Sequence, residues 1–418
     1  MKYGMILGLV MLQGAAFAAI TVPGADNSDG TLHVVSNATV VIDLSQAVSG
    51  NWDTNNTANA GSGVYDSNKW AVVYKYSSVT IDHGATLSFA NHLSRAPVVW
   101  LVDGDVTIDG TVNVSGDGWA TAPAISEPGA GGFRGAMGYY TANVGASAGF
   151  GPGGGDTQAN LRGYGASHAN TVAESPDVYG NPSLVPLLGG SGGGGSTGGF
   201  GGGAGGGAIL IACSGTLTLN GQILSNGGSG HDWAYSNNDS GGGSGGGIRL
   251  VADSFAGNGL VEAKGGIGGT YPGALGRVRL ERVNNNDTWT AIAPDPSVVG
   301  LTDGDTALLW PTATAPTVTV LSIGSEDVPG DPLASFGTVG ADVALAQTNT
   351  TQVLIETSYV EQASVVTVRV TPRSNATYTE TAASVDTVVS SDPLVIRWTA
   401  DIPVNVGYSA IQVHVVRP

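Results

Sequence analysis

Fourteen of the nineteen residues from 189 to 207, GGSGGGGSTGGFGGGAGGG, are glycine, and the run passes without a polar spacer into AILIACSGTLTLNG. Fixing a glycine backbone costs roughly 0.5–1 kcal/mol relative to alanine. Ordering this run therefore costs about 7–14 kcal/mol, comparable to the stability of a whole domain. Such a segment is either a flexible linker or part of a hydrogen-bonded layer that offsets the cost. Three features favour order. Glycine recurs at 129–138, 145–155, 241–247 and 265–276, Phe200 and Ala204 interrupt the run where a linker would carry polar residues, and an apolar strand follows directly. An extended conformation with three residues per turn points backbone groups sideways, so glycine segments can approach and bond to one another. The five stretches are expected to form a packed polyglycine layer.

The glycine runs sit inside a repeat. DVTIDGTVNVSG (105–116), GTLTLNGQILSNG (215–227) and SFAGNGLVEAKG (254–265) align on Asp or Asn before Gly110, Gly221 and Gly259, with Gly116, Gly227 and Gly265 six positions later. Val106, Ile108, Val112 and Val114 alternate with polar residues, as do Leu217, Leu219 and Ile223, which places them on one face of strands. PVVWLV, GGGAILIA, GGGIRLVA and GRVRLERV supply a second strand in each period, and VTIDHGATLSF (79–89) has the form of an earlier rung. Asn-Gly between alternating residues also suits a hairpin turn, so a meander of hairpins competes with a parallel β-helix. Recurrence of the whole unit, with Asn220 and Asn258 38 residues apart, favours the stacked coils of a solenoid.

Composition narrows the partners. Fifteen basic against 33 acidic residues give a net charge of −18, which repels nucleic-acid phosphates and anionic membranes. Residues 1–18, with Lys2, the apolar Met5–Leu12 and Ala16-Phe17-Ala18, have the form of a secretory signal peptide. No stretch is long and apolar enough for a transmembrane segment, so a secreted or cell-surface location is expected. Cys213 is the only cysteine, which leaves no internal disulfide.

The DGDVTIDGTVNVSG, GGSGGGG and GGGIRLVA stretches resemble glycine-rich bacterial secreted and surface proteins with a β-helix-like repeat. The glycine runs are similar to the polyglycine layer of phage tail-fibre adhesins. That second resemblance implies that loops between glycine runs contact a receptor. Together they cover roughly residues 97–283, and fold alone does not fix activity.

Motifs for chemistry are sparse. The carboxylate and basic motifs of polygalacturonases are absent, and Val79–His83 and Arg95-Ala96-Pro97 match pectate-lyase signatures only in part. The Gly-Gly-Ser-Gly-Gly matches at 189–193 and 242–246 lack the strand–turn–helix context of a nucleophile elbow. Asp103-Gly104-Asp105 and Asp303-Gly304-Asp305 could offer oxygens to Ca²⁺, but neither has the spacing of a full loop, so no cofactor is expected. An enzymatic reading would draw its acid–base groups from Asp156, His168, Glu174 and Asp177. The loops offer a better lead: Arg134, Tyr139 and Tyr140 in FRGAMGYY, and His231, Asp232, Trp233 and Tyr235 in GHDWAYSNND. Aromatic faces beside amides and carboxylates suit sugar rings, so polysaccharide or a cell-surface glycan is the expected partner, and self-association stays open.

Beyond Trp310-Pro311 the glycine runs end, and VTVLSIG, QVLIETSYV, SVVTVRVTP and PLVIRWTADIP follow at strand-like spacing, as in an immunoglobulin-like β-sandwich. The sequence thus predicts an all-β chain. Its parts are a signal peptide (1–18), an N-terminal cap (19–75), a glycine-rich β-solenoid (76–311) and a sandwich (314–418). The expected role is non-enzymatic, presenting loops for adhesion or glycan contact, with a polysaccharide lyase or hydrolase as the alternative.

Overall fold

A computed structural model describes residues 20–418 apart from 56, 140–144, 159–161, 173–176, 233–237, 286–288, 290, 334–339, 347–348 and 375. The fold is all-β, and among the described residues the helical elements are two 3-10 turns, Leu44–Gln46 and Thr57–Asn59.

Two sheets carry the repeat. In the first, Ala71–Ile81, Val98–Val102, Ala208–Leu219, Gly247–Gly257, Arg277–Asn285 and Ser297–Gly300 pair in parallel, and Val106–Ile108 inserts between Ala71–Ile81 and Ala208–Leu219. In the second, Thr39–Asp43, Thr86–Ala90, Thr111–Asn113, Gln222–Leu224, Leu260–Glu262 and Ala291–Ala293 stack in parallel register. The strands flanking each Asp/Asn-Gly dipeptide lie in different sheets and do not pair with each other, so these dipeptides are corners rather than hairpin turns. Corners stack directly: Asn220 N donates to Ile108 O at 2.9 Å, and Asn220 Nδ2 to Asp109 Oδ1 at 2.8 Å. A Cβ on Gly221 would fall on the carbonyl oxygen of Gly110. Glycine is required there by close approach, not by a left-handed φ. Gly30–Val34 and Thr39–Asp43 also join these two sheets. Between them Asn37 takes the left-handed φ of 62°, so this earlier turn lacks the glycine that marks the others in the sequence.

The alternating residues meet inside. Val79, Ile81, Val106, Ile108, Val112, Leu217, Leu219, Ile223, Phe255 and Val261 are buried in one core. The first halves of the long strands are covered on their outer side as well. Ile20, Val22, Ala307 and Leu309 lie over Val73, Val99, Leu101, Leu210 and Val251. Buried charges under this cover are paired: Lys75 Nζ with Asp26 at 3.1 Å, and Arg249 with Glu281 at 2.9 Å.

The glycine segments bond side by side. Along 201–207 the N–H groups take three neighbours in rotation. Gly201, Ala204 and Gly207 donate to Ala120, Asp117 and Val114; Gly202 and Gly205 donate to Ala136 and Phe133; Gly203 and Gly206 donate to Gly241 and Ser244. All seven bonds measure 2.7–3.1 Å. A period of three is what an extended three-residue turn provides. A Cβ on Gly205 would land on Gly190 O; Ala204, Ala136, Ser191 and Ser244, which do carry a Cβ among these glycines, are each buried.

Residues 317–416 form a five-stranded antiparallel sheet, in the order Glu326–Asp327, Thr317–Ile323, Thr350–Ser358, Leu394–Pro403, Ser384–Ser391, and a three-stranded one, in the order Thr379–Ala382, Val365–Pro372, Ser409–Val416. Val353, Ile355, Val366, Val368, Ile396 and Trp398 from both sheets share one core. Arg369 reaches out of this unit to the glycine segments, donating to Pro152 O at 2.8 Å and Gly154 O at 2.9 Å.

Candidate functional site

The glycine segments run from the parallel sheets to a set of turns at their far end, and the candidate site is built there. Ser196 N donates to Phe200 O at 2.9 Å, closing a turn in which Gly198 and Gly199 hold φ of +87° and +88°. Side chains other than glycine are disfavoured in that conformation. Trp119 N bonds Ser229 O at 2.7 Å, and Ala122 N bonds Gly199 O at 2.8 Å. These main-chain bonds bring three distant residues together. Phe200 and His231 stack at 3.6 Å with planes 7° apart, and Trp119 stands edge-on to both, at 5.3 Å and 4.6 Å. Trp119 remains 38% exposed, which leaves aromatic surface for a ligand.

Polar groups rim the cluster. Thr197 Oγ1 bonds Asn238 Oδ1 at 2.7 Å, Ser196 Oγ bonds Asn238 O at 2.6 Å, and Asp232 is exposed. Asp239 is buried and accepts from Thr270 Oγ1 at 3.0 Å. Burial holds the His231 imidazole below its ordinary pKa, against the opposing pull of Asp239 and Asp232.

The residues singled out from the sequence divide. His231 and Asp232 belong to this cluster, and half-buried Tyr139 lies at the same turn, with its N–H on Ser196 O at 2.9 Å. Arg134 is elsewhere. It is buried, its Nε donates to Glu127 Oε1 at 2.8 Å, and it lines a crevice of about 910 Å³ between the glycine segments and residues 318–333, 341–345 and 404–412. Arg95 bonds the same carboxylate. Tyr140, Trp233 and Tyr235 lie outside the described residues. Sequence reasoning missed Trp119 altogether and saw Phe200 only as an interruption of the glycine run. That interruption was the available signal for an aromatic at a turn.

The acid–base candidates hold structural bonds. His168 is fully buried, stacks on Tyr179 at 4.6 Å, and bonds Gly245 O through Nδ1 at 2.8 Å; burial lowers its pKa to about 4. Asp177 pairs with Arg369 at 3.3 Å, and Asp156 accepts from Thr157 N at 2.7 Å. Glu174 is outside the described residues. Of the carboxylates considered for Ca²⁺, Asp103 accepts from Asn27, Asp105 from Thr216 N and Asp305 from Thr302 N. Among the described residues no group of three or more His, Cys, Asp or Glu is placed to hold a metal ion. No helix among them is long and apolar enough to cross a membrane.

The chain matches no protein-family model, no curated protein and no solved structure.

Proposed function

We propose that this chain is an exported, non-enzymatic surface or matrix protein that presents the turns at the end of its glycine segments to a glycan. In this reading the two parallel sheets are faces of a β-solenoid, the glycine segments are a polyglycine II layer, and residues 314–418 are an immunoglobulin-like sandwich. The stacked register of the Asp/Asn-Gly corners supports the first, and the three-neighbour bonding of 201–207 supports the second. The resemblance to glycine-rich secreted proteins and tail-fibre adhesins agrees with this arrangement.

The observation that carries the function is the Trp119–Phe200–His231 cluster. It is assembled by main-chain bonds of the glycine segments and leaves part of the Trp119 ring in solvent near Asp232 and Asn238. An aromatic face with a polar rim fits the apolar face and hydroxyl edge of a pyranose.

Trp119→Ala tests the reading on a glycan array. Binding by the natural chain, lost by about tenfold or more in the variant with the melting temperature within ~2 °C, is the expected result. A fall in stability that accounts for the lost binding would make the cluster a structural cap. Cleavage of a polysaccharide, abolished by Asp177→Asn, would replace the reading with the enzymatic one.

A further inference from the structure

Two buried side-chain nitrogens, on His168 and Arg277, lack partners and face the same space. His168 is fully buried, and its Nδ1 lies 2.8 Å from Gly245 O. A carbonyl oxygen only accepts, so Nδ1 carries the proton, and in the neutral ring Nε2 presents a lone pair. Arg277 is half-buried and donates from Nη2 to Tyr179 O at 2.9 Å. His168 Nε2 and Arg277 Nε are both buried, and neither has a hydrogen-bond partner among the described residues. They converge beside Gly180. A Cβ added there would stand 3.8 Å from each nitrogen, with no other atom of the described residues within 4 Å outside the adjoining residues. Gly180 is itself exposed, so the space opens to solvent at this residue.

Charge sets Arg277 apart. Arg95, Arg249, Arg279 and Arg369 each meet a carboxylate within 3.3 Å. Arg277 forms no ion pair among the described residues. Asp177, three residues before Gly180, is already held by Arg369 at 3.3 Å. Tyr179 closes one side of the imidazole, stacked at 4.6 Å with planes 17° apart, and its hydroxyl is engaged on Gly189 O at 2.7 Å. The remaining side chain beside Gly245 is the neutral Ser244.

A half-buried guanidinium with an unused N–H and no counterion is matched by an anion, which offsets the buried charge and accepts the hydrogen bond. His168 supplies the second contact only in its charged form. The neutral ring turns a lone pair toward the anion, whereas the imidazolium turns an N–H toward it. Protonation and anion binding therefore favour one another, and by linkage each strengthens the other equally. We propose that the space beside Gly180 binds a small monovalent anion, of the size of chloride, between Arg277 Nε–H and the protonated Nε2–H of His168. The ion is taken up together with a proton. No residue of the Trp119 cluster takes part, so this site stands apart from the glycan reading.

NMR of the full chain with labelled histidine tests this, in chloride and in gluconate at equal ionic strength, with His168→Gln assigning the signal. Raising chloride from about 10 to about 500 mM should move the His168 titration up by about one pH unit, the shift expected when the ion exceeds its dissociation constant about tenfold. Gluconate, too large for the space, should leave the titration where it is. Arg277→Gln should abolish the chloride dependence while the thermal melt at neutral pH is kept. If that variant does not fold, crystals of the natural chain soaked in bromide at about pH 4.5, where His168 takes up its proton, replace it. They should show an anomalous peak about 3.3 Å from both nitrogens. A His168 titration identical in chloride and gluconate, a chloride effect that persists in Arg277→Gln, or bromide found only elsewhere would each overturn the proposal.

Discussion

The glycine segments and the C-terminal sheets hold their backbones in order by opposite means. In residues 350–358 every second side chain is buried, and Val353 and Ile355 secure the strand by filling a core. In residues 201–207 there is almost no side chain to bury, and order comes from N–H groups that turn to three neighbours in succession. The first arrangement survives loss of buried atoms at the cost of a cavity. The second tolerates neither a methyl group nor a shift, because the space a Cβ would take is occupied by another segment's carbonyl.

Substitution is the strongest way to break that comparison. Gly205→Val should cost on the order of 5 kcal/mol or more and leave little folded protein, because the added carbons meet the backbone at Gly190. Ile355→Ala, which leaves a cavity in the C-terminal core, should cost about 2–5 kcal/mol. Denaturant unfolding of the two variants measures both; a glycine variant milder than the isoleucine one would mean that the segments can spread apart.

Acid separates the regions next. His168 is sealed among the glycine segments, on Gly245 O and against Tyr179, with the charge of Arg277 nearby. Its pKa falls from 6.5 to about 4, chiefly through burial. Between those values the unfolded chain binds the proton and the folded chain does not, so stability falls as pH drops from about 6.5 toward 4. The full loss is on the order of 3 kcal/mol. Stability measured across that window should show the slope, and His168→Gln should flatten it. A slope unchanged in the variant would assign the effect to other groups.

The junction gives a smaller effect. Arg369 is buried against Pro152 O, Gly154 O and Asp177, and its guanidinium lies 3.5 Å from the Tyr378 ring. Arg369→Ala should cost roughly 2 kcal/mol, since charge-assisted bonds are lost and the carbonyls are left short of donors. Limited proteolysis should then cut faster between the two regions while each keeps its own melting transition. Identical proteolysis would show that the crevice contacts suffice without the arginine.

Much of the interior was legible in the sequence. Val106, Ile108, Val112, Leu217, Leu219 and Ile223 alternate in the repeat and all lie in the core, because strand geometry leaves no other way to bury them. The all-β character followed from the same alternation and from the even spacing of the C-terminal runs. The Asp/Asn-Gly corners were ambiguous for a physical reason. Glycine serves both a left-handed turn and a close approach of two backbones, and only the neighbouring corner tells which. The aromatic cluster was less legible still. Trp119, Phe200 and His231 are far apart in the chain, and what unites them is the main-chain register of glycine segments, which leaves no local pattern to read.

One consequence of the turn at Gly198-Gly199 concerns what can change around it. Its closure is a backbone bond between Ser196 and Phe200, and the flanking Ser196, Thr197 and Phe200 side chains are held by Asn238 and His231, so the part of the turn that carries no side chain is its tip, Gly198-Gly199. Exposed loop tips accept inserted sequence, and Gly198 is exposed. A short foreign peptide placed between Gly198 and Gly199 would be carried at the tip without disturbing the glycine segments, making this end of the molecule an exchangeable display platform.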